Sequence, residues 1–117
     1  KDVLVMFYAS WCGHCKSFKP HYYEIGVHFA SNDNVLIARI DADKNRQVAS
    51  THNIRGFPSF QLFRRDAKGK GLVFKGEQAP AGLISFVNSP TAYLIEEMLL
   101  SETTEEERED LAASGSW

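Results

Sequence analysis

The sequence of 117 residues has only two cysteines, no apolar run near the length of a membrane span and a formal charge of only −2. A helix that crosses a bilayer needs about 20 mostly apolar residues, so we expect no membrane segment. A nearly neutral chain has no general attraction for polyanions, so we expect no nucleic-acid partner. A structural zinc site takes about four ligands, and the sequence has no second cysteine pair to supply them. We therefore expect neither a metal nor another bound cofactor.

The two cysteines, Cys12 and Cys15, stand two residues apart and follow the apolar run of residues 3–8. A pair at this spacing can close and reopen a disulfide, and a helix that starts there favours the thiolate, which is the attacking species. A disulfide across so short a loop removes little entropy from the unfolded chain and would therefore stabilise the fold only slightly. Haem attachment needs a histidine where Lys16 stands. The motif favours dithiol–disulfide redox chemistry, with a structural disulfide or a zinc site completed by scattered histidines as the alternatives.

Apolar runs and turn residues predict one α/β domain with elements in the order β-α-β-α-β-β-α. We expect strands at residues 2–8, 35–40, 60–64 and 72–75, and helices at residues 12–30, 46–52 and 80–88. Pro20 is expected to kink the first helix. Strands joined through helices are expected to pair in parallel, and a Gly/Lys-rich hairpin adds an antiparallel edge. The predicted fold is a mixed four-stranded sheet with helices on both faces.

Residues 90–117 differ in character from the rest of the chain and predict a helical, acidic C-terminal extension. Six acidic residues and one arginine fall within residues 101–117. Thr103 and Glu106 have the spacing of a capping box, which predicts a last short helix. An amphipathic stripe precedes it, formed by Tyr93, Leu94, Ile95, Met98, Leu99 and Leu100. The stripe either packs on its own domain or serves as a linker or docking helix for another one.

The order of elements, with Cys-x-x-Cys at the first strand–helix junction, resembles the thioredoxin fold. Residues 7–16 (FYASWCGHCK) resemble the active-site stretch of protein disulfide isomerases, and residues 54–60 (IRGFPSF) resemble the segment that carries their cis-proline. The similarity indicates a thioredoxin-like domain over residues 1–89. The family's leading strand and helix would precede Lys1, so we expect the chain to be a piece of a longer protein. The thioredoxin domain of quiescin-type sulfhydryl oxidases has nearly the same signature.

The resemblance implies roles for the residues of the motif. Cys12 would be the nucleophile, and Cys15, one helical turn further on and more buried, would be the resolving thiol. His14 would stabilise the Cys12 thiolate by a hydrogen bond or a positive charge, which makes the pair a better oxidant. Gly13 would let the loop turn and keep the approach to Cys12 open.

A substrate-binding surface is also implied by the resemblance. Trp11 corresponds to the flat, partly exposed aromatic residue beside the nucleophile. Pro58 corresponds to the cis-proline, and the backbone before it, at Phe57, would face the cysteines and pair with a substrate chain like a strand. An apolar surface of this kind suits unfolded protein segments.

Three positions depart from the family pattern. Met6 stands where many relatives have a buried acid that accepts the proton of the resolving thiol. Arg39 stands where they have the lysine that pairs with this acid. Gln78 aligns with a mobile arginine of many isomerases, to within one or two residues. We therefore expect a working redox pair in which the resolving thiol, Cys15, loses its proton less readily than in relatives that have all three groups.

The function that the sequence favours is a thiol–disulfide oxidoreductase and isomerase that acts on protein disulfides in the endoplasmic reticulum lumen or another secretory compartment. Its partners would be protein thiols and disulfides, with glutathione or a flavin-domain oxidase as further electron partners. Two alternatives stay open. One is an electron-relay domain of a larger sulfhydryl oxidase, and the other is a substrate-binding module with a vestigial redox pair.

Overall fold

A computed structural model describes residues 1–65 and 69–90 of the chain. The predicted order of elements is confirmed, with bounds that differ from the predicted ones by at most two residues. The elements are β1 (Asp2–Tyr8), α1 (Gly13–His28), β2 (Val35–Asp41), α2 (Arg46–Thr51), β3 (Ser59–Phe63), β4 (Gly71–Val73) and α3 (Pro80–Asn88). The helical extension predicted beyond Pro90 lies outside the described residues. Its domain boundary at residue 89 therefore stays a prediction.

The four strands form one mixed sheet in the order β2-β1-β3-β4. β1 and β2 are parallel, and β3 and β4 form the predicted antiparallel hairpin. The expectation that β3 also runs parallel is wrong, because β3 is antiparallel to β1. α2 has only six residues and spans about 9 Å, less than the roughly 23 Å of a seven-residue strand, and the chain after it enters β3 at the end of the sheet where β1 ends.

The antiparallel course of β3 positions the site. β3 begins at the end of the sheet where β1 ends, and Ser59 is the register partner of Phe7. The chain that leads into β3 therefore lies beside the chain that leaves β1. As a result, the two segments that the sequence marks as functional, residues 9–15 and residues 56–58, meet at the end of the sheet where β1 ends and β3 begins.

The helices pack on both faces of the sheet, as predicted. On one face, Phe18 and Tyr22 of α1 contact the ring of Phe60 at centroid distances of 5.2 and 5.8 Å. On the other face, His52 at the end of α2 contacts Phe7 and Phe63. The buried residues of α1 recur every three or four positions, as one face of a helix requires: Cys15, Phe18, Tyr22 and Ile25. This packing fixes α1, and with it the cysteines at its start.

The longest described helix, α1, has 16 residues. Pro20 lies inside it, and the kink expected there stays a prediction. Within residues 1–65 and 69–90, no helix is both long and apolar enough to cross a membrane.

Candidate active site

Cys12 is the N-cap residue of α1. Its backbone is extended, with φ −78° and ψ 117°, and its Sγ accepts a hydrogen bond of 3.2 Å from the backbone N–H of Cys15. The first turn of a helix has backbone N–H groups without partners in the helix, and its dipole favours negative charge. One of those N–H groups points at the sulfur here. The local backbone therefore offers a hydrogen-bond donor to the Cys12 sulfur, and the nucleophilic role of Cys12 stays a prediction.

Cys15 sits one turn along the helix, and its side chain is almost fully buried. Burial, together with the hydrogen bond and charge interaction with Cys12, raises the pKa of the Cys15 thiol to about 11, against the lowering effect of the backbone at Ala9. Both cysteines are free. Cys12 is also buried, so the expected contrast in burial between the two is small. Burial and the neighbouring Cys12 sulfur favour the protonated form of Cys15.

A cavity of about 250 Å³ adjoins Cys15 on the side where β1 ends, and we call it the Cys15 cavity. It is lined by Met6, Tyr8, Ala9, Ser10, Cys15, Lys16, Lys19 and Arg39. The lining, all of it within the described residues, includes three cationic side chains and no carboxylate. The guanidinium of Arg39 lies 5.8 Å from the centroid of the Tyr8 ring, a cation–π distance. Within this lining, no carboxylate is positioned to accept a proton from Cys15.

The segment before β3 faces the nucleophile. The Phe57–Pro58 peptide bond is cis, as the resemblance implied. The thiol of Cys12 donates to the carbonyl oxygen of Phe57 at 3.7 Å. Trp11 is 65% exposed, and its ring meets the ring of Phe57 edge to face at 5.8 Å. The exposed Trp11 ring and the half-buried Phe57 ring thus form one apolar surface beside Cys12, which we call the docking surface, whereas Pro58 itself is buried.

His14 and Gly13 lie in the first turn of α1 and are both exposed. His14 directly precedes Cys15 in the sequence, and its role toward the Cys12 thiolate stays a prediction. A Cβ atom added at Gly13 would meet no atom within 4 Å, and its φ does not lie in the left-handed region. Neither space nor a turn therefore requires glycine there, and its proposed role reduces to keeping the approach to Cys12 open.

Gln78 makes a contact that the sequence analysis missed. Its side-chain Nε2 donates to the carbonyl oxygen of Pro58 at 2.8 Å. The sequence marked Gln78 only as a departure from an expected arginine. No local signal could reveal the contact, because the partners are 20 residues apart and meet only through the fold of β3 and β4.

Within residues 1–65 and 69–90, no group of three or more His, Cys, Asp or Glu side chains is arranged to hold an ion. The site instead consists of a dithiol at a helix start, a docking surface and the Cys15 cavity. This arrangement can form a mixed disulfide at one sulfur and resolve it with the other.

The chain is similar to known proteins both in sequence and in fold. The sequence pattern of the family described as Thioredoxin matches residues 1–89. A probable protein disulfide-isomerase A6 of Medicago sativa is 43% identical over 88 residues, which are 75% of this chain and 24% of that protein. Protein disulfide isomerase-like 1-1 of Arabidopsis thaliana is 36% identical over 111 residues, which are 95% of this chain and 22% of that protein. The chain spans about a quarter of the length of these relatives.

Among solved structures, the first thioredoxin domain of mouse protein disulfide-isomerase A4 is similar in fold. The TM-score is 0.68 and the sequence identity is 32%, and the match covers 75% of this chain and 61% of that one. The predicted thioredoxin-like fold, with its four-stranded mixed sheet, is therefore confirmed.

Proposed function

The chain belongs to the thioredoxin family, and on that basis we propose that it is a thiol–disulfide oxidoreductase and isomerase that acts on protein disulfides through Cys12 and Cys15. The observation that carries the proposal is the hydrogen bond from the N–H of Cys15 to Sγ of Cys12 at the start of α1. It stabilises negative charge on one sulfur and holds the second sulfur one turn away. The relatives named for disulfide isomerisation support the same activity.

The reducing reaction begins at Cys12. Its thiolate attacks one sulfur of a client disulfide, an S–S bond forms between Cys12 and the client, and the second client sulfur leaves as a thiolate that takes a proton from water. Cys15 then loses its proton to water and attacks the Cys12 sulfur. The Cys12–Cys15 disulfide forms, and the first client sulfur is released as a thiolate. Two electrons pass from the dithiol to the client, and the reverse sequence oxidises a client dithiol.

Isomerisation uses the first step alone. While the client is bound to Cys12, its freed thiolate can attack another client disulfide and later displace Cys12, with no net transfer of electrons. A slow second step favours this route. The burial that raises the pKa of Cys15 to about 11, together with a cavity lined without a carboxylate, slows resolution and lengthens the life of the mixed disulfide.

The proposed clients are unfolded or folding protein chains. The exposed face of Trp11 against the ring of Phe57 supports apolar segments as the preferred ligands. Glutathione and a flavin-domain oxidase are the proposed electron partners, because both exchange through the same sulfur of Cys12. The proposed location is the endoplasmic reticulum lumen, supported by the relatives named protein disulfide isomerases.

Trapping of mixed disulfides tests the proposal. The Cys15→Ser variant, mixed with a client protein that has scrambled disulfides, should accumulate a covalent complex that a reducing agent dissolves. The Cys12→Ser variant is the matched control and should trap none, although it keeps one thiol. Absence of a complex with Cys15→Ser, or equal trapping by both variants, would reject the assignment of Cys12 as nucleophile and favour the binding-module alternative.

A further inference from the structure

The three carbonyl groups of residues 56–58 all accept hydrogen bonds from side chains. The hydroxyl of Ser59 donates to Gly56 at 2.6 Å, the thiol of Cys12 donates to Phe57 at 3.7 Å and the amide of Gln78 donates to Pro58 at 2.8 Å. The first contact is local, whereas the other two come from different elements, the start of α1 and the loop before α3. Residues 56–58 are therefore held by Cys12 on one side and by Gln78, 20 residues after Pro58, on the other.

Gln78 is anchored to the core although it is itself exposed. It lies two residues before α3, whose inward side chains Leu83, Phe86 and Val87 are buried. The backbone N–H of Ala79 donates to the carbonyl of Glu77 at 2.9 Å, which closes the turn around Gln78. A carbonyl oxygen can only accept, so the donor of this contact is the NH₂ group of Gln78.

The contact at Pro58 fixes the geometry of the neighbouring residue. A proline ring holds φ near −65°, and peptide groups are planar. The one soft backbone angle of Pro58 is thus ψ, which sets the direction of its carbonyl. Because the Gln78 amide holds that carbonyl, the plane that contains the Phe57 carbonyl has little freedom left. That carbonyl is the one that faces Sγ of Cys12.

We propose that Gln78 is a positioning residue for protein clients, and that by holding the Pro58 carbonyl it sets the Phe57 backbone and ring in the orientation that the docking surface needs. The proposal rests on the proposed exchange activity. We expect Gln78 to act on docking rather than on the reaction of the sulfur, because the Cys12–Phe57 contact needs the protonated thiol and the attacking species is the thiolate. Loss of the contact lowers the affinity for a client chain that touches Phe57, and it does so equally in the bound state and in the transition state.

The test compares a protein client with a small disulfide that is too short to reach the docking surface. Gln78→Glu keeps the size of the side chain but replaces the donor with a carboxylate that repels the carbonyl. We expect KM for a protein client to rise about three- to tenfold with little change in kcat, the range that loss of one hydrogen bond gives. The rate of reaction with the small disulfide should stay within about twofold.

Matched variants separate this role from a general structural one. Gln47→Glu makes the same chemical change at an exposed position of α2 and should leave both reactions unchanged. Gln78→Arg restores a donor and should recover most of the client KM. Equal losses with both substrates, or no loss with the client, would overturn the proposal. An inactive wild-type chain would instead overturn the proposed function, so the two failures are distinguishable.

Discussion

The backbone N–H of Cys15 points at Sγ of Cys12 across 3.2 Å, so the residue that ends the proposed reaction also stabilises the sulfur that begins it. The same closeness has the opposite effect on Cys15 itself. The hydrogen bond and the charge of Cys12 add to burial in raising the pKa of the Cys15 thiol. One turn of helix thus favours charge on the first sulfur and opposes it on the second.

The raised pKa of Cys15 predicts a loss of stability in alkaline solution for the reduced protein. An unfolded Cys15 loses its proton near pH 9, whereas the folded one keeps it to about pH 11. Between these values the unfolded state binds fewer protons, so the free energy of unfolding falls as pH rises. Urea unfolding of the reduced protein at pH 8 and at pH 10.5 should show a larger loss for the wild type than for Cys15→Ser. Equal losses in the two proteins would contradict the prediction.

Met6→Glu is expected to speed the release of mixed disulfides. Met6 lines the Cys15 cavity, and a carboxylate there can accept the Cys15 proton, with Arg39 close enough to line the same space. A positioned base should raise turnover in a disulfide-reduction assay by about tenfold or more. Met6→Gln has nearly the same size without the base and is the matched control. If the two variants behave alike, water already removes the proton fast enough.

Replacement of His14 by proline is expected to lower the reduction potential. An imidazole between the cysteines stabilises the reduced pair, and its loss should make the potential more negative by about 30 mV, which corresponds to ~1.4 kcal/mol for a two-electron couple. Equilibration with glutathione buffers measures the change. His14→Ala should shift the potential in the same direction, which separates the loss of the imidazole from the effect of proline on the helix. An unchanged potential in both variants would reject the role of His14.

Tyr22→Phe is expected to destabilise the fold without affecting exchange. The Tyr22 hydroxyl is buried between the main chains of β1 and β2, where it donates to the carbonyls of Ala38 and Leu4. Burial raises its pKa well above the usual value. Removal of the hydroxyl leaves buried acceptors with fewer donors and should lower the free energy of unfolding by about 1–3 kcal/mol. The neighbouring Tyr23 is 75% exposed, so Tyr23→Phe should have almost no effect, and similar losses in the two variants would contradict this account.

Local patterns were sufficient where a feature depends on neighbouring residues. The bounds of β1 follow from a continuous apolar run, and those of α3 from the prolines at positions 80 and 90. The position of Cys12 at a helix start follows from the strand before it. The proximity of Trp11 and Phe57 was expected only from the resemblance, because spacing alone does not bring residues 46 positions apart together, and their role in substrate binding stays a prediction.

Features that depend on distant parts of the chain could not be predicted. The direction of β3 depends on the path of residues 42–58, in which the six-residue helix α2 is too short to run the length of a strand. The contact between Gln78 and Pro58 exists only after β3 and β4 have paired. The Cys15 cavity likewise requires α1, β1 and β2 to be in place, so its cationic lining was visible in the sequence only as Arg39.

The hydrogen bond from the Cys12 thiol to the Phe57 carbonyl links the redox state of Cys12 to the availability of that carbonyl as an acceptor. A protonated thiol occupies the acceptor that, under the proposed function, a bound chain uses for strand-like pairing. A sulfur in a disulfide has no proton to donate, so the acceptor is open both when Cys12 is joined to Cys15 and when it is joined to a client. When Cys12 regains its proton, the same carbonyl is occupied again. Under the proposed function, the Phe57 carbonyl is therefore available to a client chain while Cys12 is in a disulfide and is occupied while Cys12 is a protonated thiol.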